Sequence, residues 1–179
     1  SARLEFRKAI SYYEKENYLV CISLLLHILE TYPKFYNKDG CIFLLGECFY
    51  ALDDISKAER EYKKILELYP DSKYLPPSLF ALQMIQYKSE NYEESLYFYS
   101  LMPKKFFSSS NIADSSYYIA GLSYYHLGMF DEAMEVAKSI DNKSRYYGIA
   151  QHLIGMIYIK KGDFYKSIRC FEKILDVCS

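Results

Sequence analysis

The constraint that most limits this chain is an internal repeat. GECFYALDDISKAEREY (Gly46 to Tyr62) aligns with GLSYYHLGMFDEAMEVA (Gly121 to Ala137) and with GMIYIKKGDFYKSIRCF (Gly155 to Phe171). Each reads a small residue, an aromatic three residues on, a turn, then a second small residue. AISYYEKENYLVCISLL (Ala9 to Leu25) keeps the register. QMIQYKSENYEESLYFY (Gln83 to Tyr99) keeps it only in its second half, because Gln83 and Gln86 replace the small residue and the aromatic. The small slot recurs every 34 to 38 residues, so five units fill the chain, at about 2–37, 39–74, 76–110, 114–147 and 148–179. A period of this length demands stacked supersecondary units that share one continuous core.

Each unit reads as two helices. Apolar residues fall at three- and four-residue steps, as in Ile42, Leu45, Phe49 and Leu52. Between the halves, Asn17, Asp54, Asn91 and Asp163 share one slot where a side-chain oxygen can cap the second helix. Asn91 with Glu94 would form a variant capping box. Met129 holds that slot in the fourth unit and cannot cap. Pro33, Pro70 and Pro103 stop second helices, and Pro76-Pro77 suits the first turn of a new one. Gly46 and Ala58 are expected to face each other where two antiparallel helices approach closely, and a larger residue at Ala58 would overpack the contact by about 1–3 kcal/mol. In the segment from Pro103 to Ser115, Phe106-Phe107 is expected to pack on the second helices or to meet a partner, and Asp114 or Ser115 to cap the next helix.

Composition excludes several classes. The chain is 51% hydrophobic and 25% charged, which is globular rather than disordered. A net charge of -1 without basic blocks argues against a nucleic-acid surface. No apolar run reaches the length of a membrane span, so this segment is not expected to insert. The five cysteines include two pairs, Cys41/Cys48 and Cys170/Cys178, spaced about 10 Å and 12 Å along single helices, too far for disulfides. Buried free thiols fit a reducing compartment. No nucleophile motif, phosphate loop or cofactor fingerprint occurs, and no metal site is expected. His27, His126 and His152 form no ligand pattern, although His126 and His152 could approach one another on neighbouring first helices. The expectation is a non-enzyme without a cofactor.

The pattern resembles the tetratricopeptide repeat. In the second unit Leu45-Gly46, Phe49, Leu52, Ala58, Tyr62, Ile65 and Pro70 fit the spaced motif, and five units in register extend the likeness over nearly all the chain. Gln83, Gln86 and Pro103 depart from it and put the packing of the third unit in question. Units ending LELYPDS and ETYP look like those of bacterial cell-envelope members, which leaves cytoplasm and periplasm both open. The resemblance implies an all-α, right-handed superhelix of ten helices in a single solenoid domain, with first helices lining a concave ligand groove. Ile168, Phe171 and Ile174 on the last helix would lack a covering helix, so a longer chain, or pairing with another copy, is expected. Members that hold a terminal carboxylate use a Lys/Asn/Arg clamp. The matching slots here are Phe6, Ile10, Leu44, Pro77 and Ala81, so that ligand is not expected.

The aromatic content, 18% with 21 Tyr and 11 Phe, locates the candidate site. Three residues before each small slot stand Phe6, Phe43, Phe80, Tyr118 and His152. One residue after it stand Ile10, Glu47, Met84, Leu122 and Met156. A turn beyond stand Tyr13, Tyr50, Tyr87 and Tyr125, with Ile159 in the fifth unit. Such spacings share a helix face. Two readings stay open: the rings fill the seam between neighbouring first helices, or they line a groove, the tyrosine ladder lying beyond what packing needs. Burying roughly 60–80 Å² more of one ring is worth ~1.5–2 kcal/mol. Four or five such contacts approach the ~8 kcal/mol of a micromolar complex before association costs. The expected partner is a protein or peptide segment with apolar anchors, with a homo-oligomer through the last repeat as the alternative. Single-stranded RNA is disfavoured by the absence of basic residues on this face.

Overall fold

The computed structural model describes residues 1–108 and 112–178. Over these residues the chain forms ten α-helices and no strand. They are α1 Ala2–Glu14, α2 Tyr18–Thr31, α3 Lys38–Ala51, α4 Ile55–Leu68, α5 Leu75–Lys88, α6 Tyr92–Ser100, α7 Ala113–His126, α8 Phe130–Lys138, α9 Tyr147–Lys160 and α10 Phe164–Cys178. One 3₁₀ turn, Lys104–Ser108, follows α6. The expected end of the third repeat at residue 110, and Ser179, lie outside the described residues. The helices form two compact units, Ser1–Leu82 and Gln83–Ser179, and the division falls within α5.

One turn builds all five hairpins. Glu16, Asp53, Glu90, Gly128 and Gly162 each take a left-handed backbone, with φ between 60° and 79°. The next residue sends its N–H back five positions: Asn17 to Tyr12, Asp54 to Phe49, Asn91 to Gln86, Met129 to Tyr124, Asp163 to Tyr158, all at 2.8–2.9 Å. This is a Schellman ending, which satisfies the last carbonyls of the first helix and reverses the chain. That same residue then opens the second helix. Asp54 and Asp163 cap it as expected, accepting from the N–H of Lys57 and Lys166. Asn17 and Asn91 do not. The Asn91 amide instead donates to Gln86 Oε1, so no capping box forms. Nor do Asp114 or Ser115 cap α7: Ile112 takes that place, Asp114 lies in the first turn and Ser115 is buried. Prolines behave as read. Helices α2, α4 and α6 stop before Pro33, Pro70 and Pro103, and Pro76-Pro77 lie in the first turn of α5.

In the first unit each helix of α1–α4 packs on the next. The core is Ala9, Cys21, Leu25, Ile28, Cys41, Leu45 and Cys48, at most 1% exposed. Ala58 is fully buried, and the atoms nearest to the Gly46 position belong to Tyr62. A Cβ on Gly46 would stand 2.8 Å from the Tyr62 ring. The missing side chain makes room for an aromatic one turn further along α4. Gly155 does the same for Phe171, at 2.5 Å. In the second unit α6 packs on α7, α7 on α8 and α9, and α9 on α8 and α10. Part of that core is apolar, with Ala133, Ala137, Leu153, Ile154 and Ile157. Part is polar, and Gln83 is its centre. Its amide donates to Ser116 O (3.0 Å) and accepts from Ser116 Oγ (2.7 Å), while Ser95 Oγ donates to the Gln83 carbonyl (2.9 Å). The residue that breaks the repeat motif is thus fully partnered inside.

Candidate partner-binding face

The aromatics three residues before the small slot reach forward. Phe6 packs on Phe35 at 6.0 Å, Phe43 stacks on Tyr74 at 5.1 Å and Tyr118 meets Tyr146 at 6.4 Å. In each case the second ring belongs to the loop leading to the next hairpin. His152 lies against Phe171 of α10 instead. The loop aromatics Phe35, Tyr74 and Tyr146 were missed from sequence. Their signal was there: an aromatic in the segment between repeats, where polar turn residues would suffice.

The tyrosine ladder has an internal explanation. Tyr13 packs on Tyr18, Tyr87 on Tyr92 and Tyr125 on Phe130, with centroids 5.6, 5.8 and 5.6 Å apart. The Schellman turn brings the first aromatic of the second helix onto the ring five residues earlier. These rings are therefore not surplus to packing, as the spacing had suggested. In the second hairpin the residue at this spacing from Tyr50 is Ile55 rather than an aromatic. The fifth hairpin ends its ladder at Ile159, 45% exposed.

Of the fourteen candidates only His152 is exposed. Phe6, Ile10, Tyr13, Phe43, Glu47, Tyr50 and Phe80 in the first unit are half-buried. So are Met84, Tyr87, Tyr118, Leu122, Tyr125 and Met156 in the second. Burial pushes the Tyr13 phenol up to about 12 and raises those of Tyr87 and Tyr118. These hydroxyls stay neutral at physiological pH, so each unit presents uncharged, partly open aromatic surface.

Glu47 is the one carboxylate among the candidates, and it has a structural partner. Tyr62, lying over Gly46, donates its hydroxyl to Glu47 Oε1 at 2.5 Å. Burial raises the Glu47 pKa and the Tyr62 hydrogen bond opposes that rise. Burial and the nearby carboxylate push the Tyr62 phenol far up, so it remains the donor. At the equivalent positions of the fifth hairpin stand Phe171 and Met156: the phenol and its acceptor are absent together.

His126 and His152 each pack on a different ring. His126 stacks on Tyr92 at 4.5 Å with an 8° interplanar angle, and His152 has its own ring partner. Among the described residues no group of three or more His, Cys, Asp or Glu side chains could hold a metal ion. The cysteine pairs on single helices are unbonded. A different pair shares the core between α2 and α3: the buried thiols of Cys21 and Cys48. The nearby Cys21 thiol, with burial, holds the Cys48 thiol well above its usual range.

Tetratricopeptide-repeat profiles match this chain at residues 41–72 and 115–143, and again at 149–179, together just over half its length. The chain belongs to the tetratricopeptide repeat family. Solved structures agree with that assignment. A crystal structure of MamA superposes with TM-score 0.80 at 18% identity, covering 98% of this chain and 90% of that one. Another MamA crystal structure gives 0.77 at 18% identity over 94% of this chain and 92% of its own. MamA 41-end from Desulfovibrio magneticus RS-1 gives 0.78 at 15% identity, covering 98% and 93%. At such identities the likeness is one of fold: an all-α superhelix of repeated helix pairs. No curated protein sequence matches the chain. Among the described residues no helix is long and apolar enough to cross a membrane. Membership of this family makes the chain a protein-interaction scaffold in the broad sense.

Proposed function

We propose that the chain is a non-enzymatic scaffold that holds an apolar peptide or helix segment against the aromatic face of its first helices. The observation that carries this reading is the half-burial of thirteen of the fourteen candidates. Phe6, Tyr13, Phe43, Tyr87, Tyr118 and Tyr125 are each held by a neighbouring ring and remain half-buried. Anchored rings lose little side-chain freedom on binding, which favours their use as contacts. Met84 and Leu122, beside the braced tyrosines, supply adaptable apolar area.

The braces decide which variants test it. Tyr87→Ala or Tyr125→Ala would loosen its own hairpin, whereas Met84→Glu and Leu122→Glu put charge on the open face. Peptides selected from a random display library by the wild-type chain should carry spaced apolar anchors. The two glutamate variants should lose those peptides while keeping their helical circular dichroism. Selected peptides that bind the variants as well as the wild type would remove the groove from consideration.

A second reading rests on α10. Phe164, Ile168 and Leu175 are 63%, 57% and 70% exposed and recur at helical spacing on one side. An uncovered apolar stripe of this kind suits pairing with another copy. Light scattering over a wide concentration range separates the two readings, since a strict monomer excludes self-assembly.

A further inference from the structure

Between α6, α7 and α8, wholly inside the second unit, lies a cavity of about 320 Å³. Tyr99, Tyr117 and Tyr124 form its aromatic wall, buried Val136 lies beneath, and exposed Glu132 and Glu135 stand at its rim. We propose that this cavity binds the cationic head of a lysine or arginine side chain presented by a protein partner.

The wall is built to be held open. Phe107 stacks on Tyr117 at 4.7 Å, and Tyr99 meets Phe107 and Tyr117 edge-on at 5.7 and 6.4 Å. These contacts fix two of the three rings from behind. Tyr117 and Tyr124 each stand one residue before Tyr118 and Tyr125, about 100° around α7 from the face described above. The cavity is therefore a separate site.

Its chemistry selects a cation. Ring faces present the negative lobe of the aromatic quadrupole. Two carboxylates add acceptors that cannot donate, suited to an ammonium or guanidinium group, which can only donate. Among the described residues neither Glu132 nor Glu135 forms an ion pair, so no internal cation occupies them. The three phenol hydroxyls have no hydrogen-bond partner among the described residues either. Tyr99 lies in the last turn of α6 and Ser139, at the cavity edge, follows α8, so two helix C-termini add their partial negative charge. No lysine or arginine lines the space, which disfavours an anion. Burial raises the phenols of Tyr99 and Tyr124, and the charge of Glu135 raises both further, which places that carboxylate within electrostatic reach of the two rings.

That the cation is carried by a protein rests on the scaffold reading. The preference for a cation does not. The test follows the ring signals of isotope-labelled tyrosine by NMR. N-acetyl-lysine methylamide should shift Tyr99, Tyr117 and Tyr124 saturably, and N-acetyl-norleucine methylamide, uncharged and of similar length, should not. The E132Q/E135Q double variant should keep its helical circular dichroism and weaken the lysine probe by about five- to tenfold. Tyr124→Phe keeps the ring face and should bind within about twofold. Equal response to both probes, unchanged binding by the double glutamine variant, or no saturable shift would each overturn the site. Spermidine binding far more tightly than lysine-bearing peptides would keep the cation and overturn the protein partner. Leu122→Glu should leave the lysine response intact, so failure of the groove and failure of this cavity are distinguishable.

Discussion

The two units are made of the same repeat and filled with different chemistry. The first closes around aliphatic side chains and three buried thiols: Cys21, Cys41 and Cys48 are all fully inaccessible. The second begins around an amide and hydroxyls: Gln83, Ser95, Ser116 and Ser123 are equally inaccessible and bonded to one another or to backbone. The lesson concerns tolerance. Where the motif asks for a small residue, a longer polar one is accepted if neighbouring helices supply small hydroxyls that both make room and complete its hydrogen bonds. An apolar core needs only volume; a polar one needs every partner.

The strongest way to break this comparison is Gln83→Leu. It keeps volume and removes both side-chain bonds, leaving the Ser116 hydroxyl buried without its acceptor. The expected loss is about 2–4 kcal/mol, read as a lower urea midpoint at unchanged slope. Adding Ser116→Ala should return part of it, since the orphaned hydroxyl is gone. If Gln83→Leu is neutral, the polar centre does not hold the second unit together.

The reciprocal change is smaller. Cys41→Ser places a hydroxyl where burial pushes the thiol up to about 12. Its core neighbours are aliphatic side chains and thiols, and about 1–2 kcal/mol should be lost. A loss matching that of Gln83→Leu would mean the two cores differ less than their composition.

Gln83 also marks where sequence reasoning stops. Periodicity located the helices, and the small slots located the hairpins, because both are local. Gln83 read as a defect because its sense lies in Ser95 and Ser116, on two other helices. The left-handed turn residue was legible at Gly162, where glycine advertises it. It was hidden at Glu16, Asp53 and Glu90, where the same conformation is forced on residues that disfavour it. The candidate face divides the same way. Spacing put the tyrosines on one side of each first helix. Whether each ring meets a second aromatic depends on where the turn delivers the next helix. Gly46 was rightly taken as a close approach, but the ring that needs it starts from Tyr62, one turn beyond Ala58.

Glu47 gives the comparison a pH signature. Its carboxyl is raised above its ordinary 4.5 in the folded chain, first through burial. The native state therefore holds its proton longer than the unfolded chain does. This group favours the folded state most below pH about 4.5, and stability declines as pH rises from there through the raised native value. Glu47→Gln keeps an acceptor for the Tyr62 hydroxyl and removes the titration. Its stability should stay flat over that window where the wild type declines. The fifth hairpin, with Met156 and Phe171 in those places, should contribute no such slope, and Met156→Leu should leave the wild-type profile unchanged. A Glu47→Gln profile parallel to wild type would place the slope elsewhere.

The smallest expected effect is the one that should not differ between the units. Glu16 in the first and Glu90 in the second hold the same left-handed turn, with φ 60° and 61°. A side chain there is strained by about 1–2 kcal/mol, and glycine removes the strain at some entropic cost in the unfolded chain. Glu16→Gly and Glu90→Gly should therefore each raise stability by about 0.5–1 kcal/mol. Because the turn hydrogen bonds are local, the increment should be the same beside the thiol core and beside the amide core, and additive in the double variant. Equal increments would confine the difference between the units to what fills them. Unequal increments would mean that the Gln83 network reaches the turn, through the Gln86 carbonyl that accepts from Asn91 at 2.9 Å and the Gln86 side chain that accepts from the Asn91 amide.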